Sequence, residues 1–63
     1  MCMVSLYKNE KKPENLLMEN VFRVVDREGT IQLTDIMGRQ LSLAGRIALA
    51  DMNNNFIVVE ERP

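Results

Sequence analysis

The chain contains no histidine and no tryptophan, and it has a single cysteine among 63 residues. Without histidine, its serines and aspartates lack the usual partner for a catalytic triad, and a zinc site of the usual four-ligand kind cannot be assembled. One cysteine excludes an internal disulfide, and a lone thiol fits a reducing cytoplasm. No Gly-rich phosphate loop is present. No apolar run approaches the roughly 18 residues that a membrane span needs. No charged segment followed by an apolar one stands at the amino end, so a secretory signal is not expected. There is no basic excess either: eight basic and nine acidic residues leave a net charge of −1. A nucleic-acid binder that works by neutralising phosphates is therefore not expected. Adjacent carboxylates occur at Glu60-Glu61, where neighbours on a strand face opposite ways and cannot share acid/base work. The chain does not read as an enzyme.

Sixty-three residues make one domain, spanning 1–63. A chain this short buries only about 60% of the surface its unfolded form exposes. With neither disulfide nor zinc cluster to help, association is the expected remedy, and a twofold homodimer is its simplest form.

What is present is strand pattern. Val4 and Leu6 alternate with Ser5 and Tyr7, continuing from Met1-Cys2-Met3. The charged, proline-containing segment from Lys8 to Asn15 reads as an exposed loop, with its lysines interleaved by Glu10 and Glu14. Leu16-Leu17-Met18 suggests a short strand, and Val21-Phe22-Arg23-Val24-Val25 a stronger one. Asp26-Arg27-Glu28-Gly29 supplies a turn. Thr30 to Asp35 alternates with Ile31 and Leu33 inward, and Arg39 to Leu43 with Leu41 and Leu43 inward. Ala44-Gly45 then reads as a break before a strand through Ile47 and Leu49. A helix over Leu41–Met52 is the competing reading, and Gly45 at its centre counts against it by about 1 kcal/mol. Asn53-Asn54-Asn55 forms a tight connection, and Phe56 to Glu61 is the last strand, apolar on both faces. Strands at this spacing predict an all-β fold, a small strongly bent β-barrel of about six to seven short strands, of the size of an SH3 or Sm domain.

Chemistry concentrates at the amino end. If Met1 is retained, its amine, the Cys2 amide nitrogen and the Cys2 thiolate close two fused five-membered chelate rings. Three such donors in one plane suit Ni(II) or Cu(II) rather than Zn(II) or Mg(II). If Met1 is removed, the Cys2 amine and thiolate still form one ring. One chain supplies too few donors, and two Cys2 residues meeting in a dimer would complete the set. Met3 is a weaker soft donor. The competing reading makes Cys2 a small buried hydrophobe at the start of a strand, and position and composition by themselves favour that reading.

Met1-Cys2-Met3 leading into a strand resembles the CooT family of small nickel-binding proteins. The resemblance extends through Glu19-Asn20-Val21, Arg27-Glu28-Gly29, Leu43-Ala44-Gly45-Arg46-Ile47 and Ile57-Val58-Val59-Glu60-Glu61, nearly the whole chain. Its most specific parts are the Met-Cys-Met start and the closing run into Glu-Glu. It implies a compact all-β homodimer and a Ni(II) site using Cys2 near the dimer axis. It also implies a carrier or metallochaperone role in maturing nickel enzymes such as carbon monoxide dehydrogenase. The family has also been labelled RNA-binding. That label, or a protein-binding barrel with a structural cysteine, is the alternative. It finds little support in an acidic chain whose possible stacking residues are Tyr7, Phe22 and Phe56.

Overall fold

A computed structural model of the chain describes residues 3–62. Five strands form a closed barrel: β1 (Val4–Lys8), β2 (Leu16–Arg27), β3 (Thr30–Asp35), β4 (Gln40–Asp51) and β5 (Phe56–Glu61). One 3-10 turn, Pro13–Asn15, lies in the loop between β1 and β2. Neighbours in sequence pair antiparallel, and β1 closes the ring by pairing parallel to β5.

The six to seven short strands expected from the sequence are five, because two pairs of them are continuous. Leu16-Leu17-Met18 and Val21–Val25 belong to the 12-residue β2, and the segments on either side of Gly45 belong to the 12-residue β4. Each long strand serves two neighbours. The first part of β2 pairs with β1 and the second with β3. Likewise, β4 pairs first with β3 and then with β5. The change of partner in β2 coincides with a register shift between Val21 and Arg23, and in β4 a shift between Ile47 and Leu49 follows the change at Ala44 and Gly45. Such an extra residue bends a strand and increases its twist. Asn20, with φ 55°, makes the bend in β2 in a conformation that asparagine tolerates.

Gly45 is where a break was expected, and the strand instead continues through it. Its amide donates to the Gly29 carbonyl at 2.9 Å, and a Cβ there would collide with the Glu60 carbonyl oxygen. The missing side chain lets β4 and β5 approach at the corner instead of ending the strand. The β2–β3 hairpin follows expectation: Glu28 and Gly29 form a two-residue loop with φ 52° and 81°, the left-handed pair that matches strand twist.

Val4, Leu6, Val21, Ile31, Leu33, Ile57 and Val59 make the buried core, with Leu41, Leu43 and Ile47 packed against it. The alternation read in β1, β3 and β4 thus points the predicted residues inward. In β5, Ile57 and Val59 face the core, while the intervening Val58 is also buried. Its register partners are Tyr7 and Leu49.

Two glycine substitutions separate packing from backbone strain. Gly45→Ala should destabilise by about 3 kcal/mol, since β5 cannot retreat without losing ladder bonds. Gly38→Ala has open space around it and only a φ of 85° to contend with, so about 1 kcal/mol is expected. Urea unfolding of both variants reports the difference. Equal losses would show that the β4–β5 corner is not tightly packed.

Candidate functional site

Cys2 and Met1, the first two candidate ligands, lie outside the described residues, and Met3 is the first residue within them. What can be built is the platform from which they leave. β1 runs between β2 and β5, with Val4 opposite Val21 and Ser5 opposite Phe56. The Ser5 amide donates to the Asn55 carbonyl at 3.1 Å, just ahead of β5. Continuing the β1–β2 register by one residue brings Met3 alongside Phe22. Met3 and Phe22 are 44% and 47% exposed. The start of β1 is therefore bordered by apolar side chains open to solvent.

Two turns flank this end, and an aspartate organises each. Asp51 closes β4. Its Oδ1 accepts the amides of Asn53 and Asn54 at 3.1 and 3.0 Å, and its Oδ2 accepts the Asn54 side-chain amide at 2.9 Å. These bonds, the Asn54 side chain foremost, hold its carboxyl below the ordinary aspartate range. Asn55 completes the turn with φ 57°. The second turn follows Asp35, which is opposite Val21 and 1% exposed. Burial by itself pushes the Asp35 carboxyl up. The Arg39 amide at 2.9 Å, its Nε at 2.7 Å and the Met37 amide at 2.9 Å outweigh that and bring it below the usual range. The Ile36 amide ties this turn to the Asn20 carbonyl at 3.0 Å, at the bend in β2.

Both aspartates have their carboxylate oxygens engaged in the turns. Among the described residues, no group of three or more cysteine, aspartate or glutamate side chains could hold a metal ion. The β1–β2 loop is not a free cationic patch: Lys12 pairs with Glu10 at 2.7 Å and Lys8 with Glu61 at 3.5 Å. Lys11 sits over the Phe56 ring at 4.6 Å, and Tyr7 meets that ring edge-on. Sequence reasoning passed over Asp35 and Asp51. The signal was available: each aspartate opens a tight turn, the first of them with glycine three residues on, where an Asx turn is favoured.

Comparison with known proteins bears on the same end. The family model for the CO dehydrogenase accessory protein CooT matches residues 1–60. A crystal structure attributed to CooT from Carboxydothermus hydrogenoformans superposes with a TM-score of 0.84 at 21% identity, covering 98% of this chain and 100% of that one. At that identity the likeness speaks for the fold. No curated protein is significantly similar in sequence.

The Asp35 turn has a pH signature. A carboxyl whose folded pKa is depressed stabilises the fold above its unfolded pKa, about 4. That contribution is lost as pH falls from there through the lower folded value. Asp35→Asn should therefore lower the melting temperature at neutral pH, and the gap to wild type should close below about pH 4. Thermal unfolding of both proteins between pH 2 and pH 7 checks this. Curves that stay parallel throughout would show that the charge of Asp35 is not what holds the turn.

Proposed function

The chain belongs to the CooT family of CO dehydrogenase accessory proteins, and on that premise we propose that it carries Ni(II) as cargo on Cys2. In this reading it is a homodimer that supplies metal during maturation of a nickel enzyme such as carbon monoxide dehydrogenase, and performs no turnover of its own. The observation that carries the proposal is the extent of the family match, which includes the amino-terminal Met-Cys-Met. Cys2 contributes a thiolate, and the Met1 amine with the Cys2 amide nitrogen would complete a chelate if Met1 is kept. Met3 is a subsidiary donor.

Two features of the barrel support the dimer. Its contiguous core consists of seven buried side chains, a small core for independent stability. The exposed Met3 and Phe22 border the start of β1, so covering them with a second copy would bring two amino ends together. Two thiolates and two amines then provide the four donors that one chain lacks. The acidic balance and the paired loop lysines favour this reading over RNA binding.

Adding Ni(II) to wild type should produce thiolate-to-metal absorption, and Cys2→Ser should lose it with at least about tenfold weaker binding. Native mass spectrometry of the same samples should show one nickel per two chains. Equal binding by the two proteins would overturn the assignment.

A further inference from the structure

We propose that the outer face of the β2–β3–β4 sheet is a docking surface for an extended acidic segment of a partner protein, with Arg23 and Arg27 each receiving a carboxylate. The inference goes beyond the metal reading and stands without it, because none of the residues it uses belongs to the amino end.

The chain has eight basic residues and a net charge of −1. Six of the eight are engaged within the molecule. Lys8, Lys12, Arg39 and Arg46 are ion-paired with Glu61, Glu10, Asp35 and Glu60. Arg62 donates to the Gly29 carbonyl at 2.8 Å, and Lys11 lies over the Phe56 ring. Arg23 and Arg27 are the two left. Among the described residues, neither side chain has an ion-pair or hydrogen-bond partner.

Both leave the same side of β2. Val24 packs against the core, and the exposed Arg23 and Arg27 alternate with it to the outside. The ladder from Arg23↔Thr34 to Arg27↔Thr30 has no shift, and neither has that of β3 with β4. The face is therefore regular, and the two arginines leave the backbone about 13 Å apart. Thr30, Gln32 and Thr34 of β3 and Gln40 and Ser42 of β4 share it. Their side chains make no hydrogen bond within the described residues. No outward position of the three strands in this span is acidic or aromatic. A shallow depression of about 300 Å³ lies between Arg27 and Ser42. Glu28, in the hairpin turn, borders it at one end and confines the favourable field to the Arg23–Arg27 span.

Two unpaired arginines on a face of neutral donors and acceptors complement an anionic, polar occupant. An extended polypeptide laid along β2 has the same rise per residue, so carboxylates four residues apart match the two guanidinium groups. Its backbone amides then meet the threonine, glutamine and serine side chains. A nucleic-acid strand fits less well: two cations neutralise few phosphates, and the face has no ring on which a base could stack.

A terminally blocked serine–threonine peptide with two glutamates four residues apart, titrated at low salt into the isotope-labelled full chain, tests this. Amide shifts should centre on Gln32, Thr34 and Ser42. Arg23→Gln and Arg27→Gln should each weaken binding about fivefold, and the double variant at least about twentyfold. Arg46→Gln, which removes a cation already paired with Glu60, should leave it unaltered. Placing the glutamates two residues apart, about 7 Å, should weaken binding as much as losing one arginine. The substituted side chains are exposed, and unchanged Leu6 and Val59 amide signals in the free variants verify that the barrel is kept. No saturable shifts on this face, or a loss in Arg46→Gln equal to that in Arg27→Gln, would overturn the proposal. So would an oligouridylate that binds the same face more tightly than the peptide, which would assign the surface to RNA.

Discussion

The barrel depends on the parallel pairing of its first and last strands. Every other strand pairing among the described residues joins neighbours in sequence, which a hairpin or a short loop can form. Pairing Ser5–Lys8 with Phe56–Val59 brings together segments from opposite ends of the chain. Closing so long a loop is entropically unfavourable before any contact rewards it. Once made, it removes the edges that an open sheet would expose and buries Leu6 against Ile57 and Val59. It also decides how β1 lies, because its ladder with β2 is interrupted by register shifts.

Five strands can close only because two of them bend sharply. β2 and β4 each change partner near their middle, and the devices that allow it are local: a left-handed Asn20, bulges after Val21 and Ile47, and a corner at Gly45 with no room for a Cβ. These devices look like strand ends in a linear reading, which explains why two long strands resemble four short ones. Gly45 is the clearest case. A glycine after alternating leucines signals a break, but the same absence of a side chain is what a continuous strand needs where another backbone crosses it closely.

The functional end inherits this construction. Two aspartate-centred turns stand on either side of the β1 start, one tied to the bend of β2 through Ile36 and Asn20, the other to Ser5 through Asn55. Both engage their carboxylates within their own turns, Asp51 with backbone and side-chain amides and Asp35 with backbone amides and the Arg39 guanidinium, so they act as braces.

The sequence by itself determined the strand faces, the Glu28-Gly29 and Asn53–Asn55 turns and the exposed loop, because each follows from side-chain period or from the backbone preference of a few adjacent residues. It also singled out Cys2, since a chain with no histidine and one thiol offers little else for a soft metal. Only the tertiary structure decided that β1 lies against β5, that Leu16–Arg27 and Gln40–Asp51 are continuous, and that Asp35 is buried under the hydrogen bonds of its own turn. Those facts arise from contacts between residues far apart in the chain, and local periodicity carries no information about which distant backbone will arrive beside a glycine or an aspartate.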